Sequence, residues 1–249
     1  MPKHIAPVFA TFVVKNKTMQ IKAIAFDADD TLWVNEPYFQ DTENKFIGLL
    51  DHLLDPHEIS RELLATEAKN IPLYGYGVKA FTLSMMETAL RVSNGSLKSE
   101  TIAKIIELGR EQLERDVELL DGVEQALKML HGRYKLVVAT KGDLLDQDRK
   151  LRKSGLERYF HHVEIMSEKG TDDYLKLIKH LDITPEELLM VGNSLKSDII
   201  PVLKLGGSGI HIPFHTHWSL DKVDVKIENP RFKEMTTIVE AARHIVDTY

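Results

Sequence analysis

The sequence predicts an α/β fold, a doubly wound, Rossmann-like parallel sheet with an α-helical cap inserted into it. Three observations predict it. Short runs that are apolar throughout alternate with amphipathic stretches, as in strands covered by helices on both faces. That alternation is interrupted once, by a long stretch with helical periodicity alone. Polar residues gather just past the predicted strand ends, where ligands sit in such folds.

The elements follow in order. IKAIAF, 21–26, is a short apolar run rich in β-formers and reads as a buried first strand. From about Tyr38 to Arg115 the pattern is helical. Asp55-Pro56 marks a helix start, an N-cap followed by proline at the first helical position. Leu83, Met86 and Leu90 share one predicted helix face, which stops at Asn94-Gly95. Ile102, Ile105, Ile106 and Leu113 stripe the next helix. After Asp121-Gly122 the alternation resumes: helix 123–131, strand 135–140, helix 143–154, strand 162–166, helix 171–181, strand 188–192, helix 195–204 and strand 209–213. A short strand at 223–227 and a helix at 234–247 close the chain. The division this implies is a core of 19–33 plus 121–249, a helical cap at 34–120, and an N-terminal extension at 1–18.

Composition narrows the chemistry. The 249 residues include no cysteine, which excludes disulfides, zinc–thiolate sites, iron–sulfur clusters and thiol nucleophiles. It also fits a cytoplasmic protein. Against 38 acidic residues stand 32 basic ones, a net charge of −6, which argues against nucleic acid as a partner. The early apolar run 5–14 is interrupted by Pro7 and is too short for a bilayer span, which takes roughly 20 residues. No membrane partner is expected. Oligomeric state is not readable.

The strand ends carry the candidate site. The first strand ends in Asp27-Ala28-Asp29-Asp30-Thr31, the second in Thr140-Lys141-Gly142-Asp143. Ser167-Glu168-Lys169 follows the third, and Gly192-Asn193-Ser194 the fourth, with Asp198 one turn later. Asp27 and Asp29, two apart at a strand end, can face one crevice. Crowded carboxylates repel unless a divalent cation lies between them or one keeps a proton. Hard oxygen ligands suit Mg²⁺, and Asp198 offers a third carboxylate. Lys169 supplies positive charge and Thr140 a hydroxyl, with Lys141 beside it. With backbone N–H groups at the helix starts, these could surround a phosphoryl group.

Four short motifs in order, FDADDT, LVVAT, the lysine of SEKGTDD and MVGNSLKSD, resemble those of the haloacid dehalogenase (HAD) superfamily. The resemblance implies a Mg²⁺-dependent phosphatase acting on a small phosphate monoester. Asp27 would be the nucleophile that forms an aspartyl-phosphate, and Asp29 the general acid and base. Thr140, Lys141 and Lys169 would hold the phosphate, and Asp27, Asp29, Asn193 and Asp198 the metal. Two positions depart from the family pattern: Asn193 stands where aspartate is usual, and Gly170 where proline is frequent. Asn193 motivates the alternative of a catalytically weakened phosphate- or nucleotide-binding module. A phosphomutase or a haloacid dehalogenase is the remaining alternative, but dehalogenases of the superfamily lack the acid at position 29.

Within the insertion, LYGYGVKAF (73–81) singles out Tyr76 and Lys79 as candidates for substrate contact, against a plain helix–helix turn. Other features read as structure. His211, His215 and His217, with Trp218, form a polar loop, and His161-His162 is a solvated strand start. Asp30 and Asp143 are helix caps, Thr31 bonds nearby backbone, and Met85-Met86 is cap core.

Overall fold

The computed structural model describes residues 20–249 except 217, 222 and 224; the predicted extension at 1–18 and His217 lie outside the described residues. Six parallel strands form one sheet in the order β3-β2-β1-β4-β5-β6. They are β1 (Ala23–Phe26), β2 (Lys135–Lys141), β3 (His162–Met166), β4 (Leu188–Gly192), β5 (Ser208–His211) and β6 (Phe232–Glu234). The central β1 pairs with β2 on one side and β4 on the other, Ala23 opposite Lys135 and Leu188, Phe26 opposite Val138 and Val191.

The two faces of β1 explain why its sequence is apolar throughout. Successive side chains point to opposite faces. Ile24 and Phe26 join the cluster that includes Val123, Leu127 and Leu130 of α5 (Val123–Leu130) and Ile245 of α9 (Ile238–Thr248). Ala23 and Ala25 face Tyr174, Leu177 and Ile178 of α7 (Thr171–His180). The small alanines let α7 approach closely and leave space for the Tyr174 ring, which is fully buried.

Between β1 and β2 stand four helices: α1 (Glu36–Leu50), α2 (Pro56–Tyr74), α3 (Val78–Val92) and α4 (Ser99–Glu114). They have an apolar cluster of their own, built on Phe46, Leu50, Ile59, Leu63, Phe81, Met85, Ala89 and Ile105. The chain leaves and re-enters the sheet layer along two adjacent segments tied by backbone bonds, Val34 N–H to the Glu118 carbonyl at 2.9 Å and Leu120 N–H to the Leu32 carbonyl at 3.0 Å.

Three expectations need correction. The described residues of 223–227 form no strand, and residue 224 lies outside the described residues; the last strand is β6, whose Phe-Lys-Glu is short and largely exposed and so gives no hydrophobic signal. Backbone pairing holds it, with Gly209 N–H bonded to the Arg231 carbonyl and Met235 N–H to that of His211. Of Leu83, Met86 and Leu90, only Met86 packs against the cap cluster. Leu83 and Leu90 are exposed, whereas Val78, Phe81, Met85, Thr88 and Ala89 are buried. The α2–α3 contact includes small polar groups: Asn70 Nδ2 donates to Ser84 Oγ at 3.2 Å, and Thr88 Oγ1 to Thr66 Oγ1 at 2.9 Å. A stripe of bulky residues cannot reveal such a face. Finally, the helix expected at 195–204 begins as one wide turn, Leu195–Ile199, in which Ile199 N–H reaches the Ser194 carbonyl, and only then becomes α8 (Ile200–Lys204). Such wide turns are frequent at functional sites, and this one carries Asp198.

Candidate active site

All four motifs meet at the carboxyl ends of β1, β2 and β4 and at the start of α7, around a cavity of about 330 Å³. At its floor lies Lys169, 5% exposed, held just before α7. Its ammonium donates both to Asp27 Oδ1 and, at 2.6 Å, to Asp198 Oδ1. Burial alone would lower the Lys169 pKa; the Asp198 and Asp27 carboxylates outweigh this and hold it well above the ordinary lysine range. Burial raises the Asp27 carboxyl to about 7, with Lys169 opposing the rise and Asp198 adding to it.

Asp198 is completely buried. Its Oδ2 accepts the Ser194 N–H at 2.9 Å, so the carboxylate ties the wide turn to the end of β4. Glycine is required at 192, because a Cβ there would lie 2.3 Å from Asp198 Oδ2. Thr31, expected to bond backbone, instead points its hydroxyl at Asp27 Oδ2 (3.2 Å) and Asn193 Oδ1 (3.3 Å). Two hard oxygen acceptors, one a carboxylate and one an amide carbonyl, therefore lie around a single hydroxyl. His211 bonds the Asn193 carbonyl through Nε2 at 3.0 Å and Glu234 through Nδ1 at 2.9 Å, which positions Asn193 from behind. That places His211 in the site rather than in a plain polar loop.

Asp29 is held by three donors. Trp33 Nε1 and Lys150 Nζ approach its Oδ1 at 2.7 and 2.6 Å, and Gln147 Nε2 its Oδ2 at 2.8 Å. Gln147 also reaches Thr140 Oγ1 and the Lys141 carbonyl, linking the ends of β1 and β2. Gln147 and Lys150 both lie on α6 (Leu144–Ser154), and the sequence reasoning did not identify either. The available signal was helical spacing. Asp146, Gln147 and Lys150 fall on the face of α6 that continues from Thr140, and Asp146 and Gln147 are buried.

The other candidates separate. Lys141 lines the cavity, but its ammonium is engaged by Ser197 Oγ at 2.9 Å and Asp221 at 3.4 Å, and lies 4.4 Å from the centre of the Tyr76 ring. Burial would raise the Asp221 carboxyl; Lys141 and the hydroxyls of Ser194 and Ser197 outweigh it and keep it low. Tyr76 reaches the cavity wall, its hydroxyl donating to Glu168 at 3.0 Å and its ring meeting Trp218 edge-on at 5.9 Å. Lys79 does not line the cavity. It is half exposed and pairs at 2.9 Å with Asp143, whose carboxylate also caps α6 through the Asp146 N–H. Asp30 caps α1 by accepting the N–H groups of Asn35 and Glu36, as expected.

Comparison with known proteins agrees with this geometry. The profile of the haloacid dehalogenase-like hydrolases matches residues 21–206. A glyceraldehyde 3-phosphate phosphatase of Methanopyrus kandleri is 23% identical over 225 residues, 85% of this chain and 94% of that protein. A haloacid dehalogenase-like hydrolase from Xanthomonas campestris is 35% identical, with 92% of this chain and 91% of that one superposed at a TM-score of 0.83. The Bacillus subtilis HAD-hydrolase YfnB, solved bound to magnesium, shares the fold at 18% identity and a TM-score of 0.61, over 92% of this chain and 99% of its own. No described helix is long and apolar enough to cross a membrane. With the matched region spanning most of the chain and the four motifs converging on one cavity, the chain belongs to the haloacid dehalogenase-like hydrolases, an enzyme family.

Proposed function

We propose that the chain is a Mg²⁺-dependent phosphatase that hydrolyses a small phosphate monoester through an aspartyl-phosphate on Asp27. The observation that carries this reading is the buried ammonium of Lys169 bridging Asp27 and Asp198 at the floor of a cavity, with Asp29 held two residues from Asp27. Lys169 screens Asp27 from the negative phosphate it has to approach. In the first step an Asp27 oxygen bonds to phosphorus, and the ester oxygen leaves with a proton from Asp29. In the second, Asp29 takes a proton from water, and the water oxygen displaces Asp27 from phosphorus, releasing phosphate. Thr140, positioned by Gln147, and the backbone at the end of β2 orient the phosphoryl oxygens.

The donor set suits Mg²⁺. Asp27 Oδ2 and Asn193 Oδ1 are hard oxygens around one hydroxyl, and the Asp29 backbone carbonyl would complete the protein's share. Bound there, the ion would neutralise charge on the transferring phosphoryl group. Asp198, with both oxygens occupied by Lys169 and the Ser194 N–H, acts mainly through those partners. Asn193 keeps an oxygen at the metal position, which favours the catalytic reading over a binding module without turnover. We read α1–α4 as a cap that closes over the cavity and selects the substrate. The relative acting on glyceraldehyde 3-phosphate supports a small phosphorylated metabolite, and the lack of cysteine suits a cytoplasmic setting.

The test is turnover of p-nitrophenyl phosphate with Mg²⁺, with EDTA, and by Asp27→Asn. Loss of activity by at least about a thousandfold in the variant is expected. Metal-independent turnover, or a fully active variant, refutes the reading.

A further inference from the structure

The cavity is divided by charge. Every lysine lining it, Lys141, Lys150 and Lys169, comes from outside α1–α4, on the side of the proposed phosphate position. The wall supplied by α1, α2 and α3 carries none. It presents Glu36 and Glu67, the amide of Asn70, and the rings of Phe39 and Phe81. Neither glutamate has an ion-pair partner among the described residues. Asn70 is 2% exposed; its Nδ2 is used by Ser84, and its Oδ1 has no hydrogen bond among the described residues. Phe39 and Phe81 pack ring to ring at 5.2 Å. This wall therefore offers carboxyl and carbonyl oxygens and aromatic faces, without a compensating cation. Burial raises the Glu67 carboxyl to about 8, with Glu43 adding repulsion. Glu36 is likewise raised to about 8 by burial, then by Asp30, Glu67 and Glu43. Crowded buried carboxylates are relieved by a bound cation, and ammonium groups favour aromatic walls.

We propose that the helical end of the cavity is a subsite for an ammonium group, so that the substrate is a phosphate monoester whose alcohol carries an amine. The phosphate lies toward Lys169, and the amine is held among Glu36, Glu67 and the Asn70 carbonyl. The same wall disfavours alcohols bearing a carboxylate or a second phosphate, which would meet crowded carboxyls and no cation to pair with. The proposal rests on the phosphatase reading for its phosphate end only.

The test compares ω-aminoalkyl phosphates of increasing chain length with alkyl phosphates of equal length and with phosphoglycolate, all with Mg²⁺. A preference in kcat/KM of at least about tenfold for the best aminoalkyl ester over its alkyl counterpart is expected, as is typical of a desolvated cation contact. That ratio should fall toward unity in Glu67→Gln or Glu36→Gln, checked for folding by circular dichroism. Equal turnover of the two series, preference for phosphoglycolate, or a preference surviving both variants overturns the proposal. If no ester is turned over, the phosphatase reading fails by itself. The subsite is then decided by ligand-observed NMR of the free alkylammonium ions at saturating Mg²⁺, so that a metal cannot account for the effect. Binding lost in Glu67→Gln supports the subsite, and no binding to the unaltered protein overturns it.

Discussion

Replacing Lys169 by methionine tests the architecture of the site without assuming its chemistry. The ammonium is almost wholly buried, and it serves two carboxylates, one completely buried and the other nearly so. Methionine keeps much of the side-chain length and apolar contact, so the loss is mainly one of charge. Removing one partner of a buried ion pair costs about 3–5 kcal/mol, because the remaining charge is left uncompensated. Here two charges are left, but each keeps one donor, the Thr31 hydroxyl on Asp27 and the Ser194 N–H on Asp198. A loss of about 4 kcal/mol in EDTA follows, and at ~2–4 °C per kcal/mol for a chain of this size Tm should fall by roughly 10 °C. Scanning calorimetry reads it. Lys150→Met provides the internal comparison. Lys150 contacts the partly exposed Asp29, and its loss should cost only about 1 kcal/mol. Adding Asp198→Asn to Lys169→Met should recover part of the stability, because the amide oxygen can still accept from Ser194. If Lys169→Met and Lys150→Met destabilise equally, or the second substitution recovers nothing, the account of Lys169 as the charge that holds the floor together is wrong.

Other outcomes follow from the same contacts. The Glu67 carboxyl is raised from 4.5 to about 8, so its contribution to stability is greatest below about 4.5 and is lost as pH rises toward 8, because the unfolded chain ionises first. Glu67→Gln should flatten Tm against pH over that window, with a gain on the alkaline side and little change near the acidic end; an unchanged pH slope would falsify the assignment. Asn193→Asp places a carboxylate beside the shared Thr31 hydroxyl and Asp27. It should lower the Mg²⁺ concentration for half-maximal activity several-fold while reducing the stability of the metal-free protein, and an unchanged metal requirement would count against Asn193 as a ligand. Lys79→Ala should shift stability by less than about 1 kcal/mol, since its pair with Asp143 is exposed. KM should be unaffected, and a marked rise would restore Lys79 to the substrate-contact role suggested by the sequence.

The sheet was legible because its central strands are buried on both faces, and continuous apolar runs such as LVVAT and LLMVG have few other readings. The edge was not, because β6 is polar and is held by backbone pairing and the Glu234–His211 contact rather than by apolar burial. On the site, the strand-end rule brought Asp27, Asp29, Thr140, Lys169, Asn193 and Asp198 into view, and these do converge. Residues that arrive from helices one or two turns later stayed hidden. Lys150 and Gln147 are spaced like ordinary polar residues of α6, and only the tertiary contact with Asp29 distinguishes them. Lys141 was visible, but its partners Ser197 and Asp221 are distant in sequence, so its engagement away from the floor was not.

Those late-arriving residues change how the substitution at 193 is understood. Counted as ionised, Asp27, Asp29 and Asp198 are three negative groups against the one positive group of Lys169. With Lys150 on Asp29 included, the difference between three carboxylates and two ammonium groups is a single negative charge. Adding Mg²⁺ and a phosphate dianion together leaves that balance unchanged. An aspartate at 193 would make it more negative by one, in a cavity whose helical wall already carries Glu36 and Glu67 without compensating cations. An asparagine there retains an oxygen for the metal and avoids a further buried repulsion, whose cost in a low-dielectric setting is large. On this argument Asn193 is the counterpart of an acidic substrate wall rather than a mark of decay. The sign of the combined effect then discriminates between the two. Above about pH 8, where Glu67 is ionised, adding Glu67→Gln to Asn193→Asp should relieve part of the stability lost in the metal-free protein; if the two effects are simply additive there, the two ends of the cavity are electrostatically independent and the argument fails.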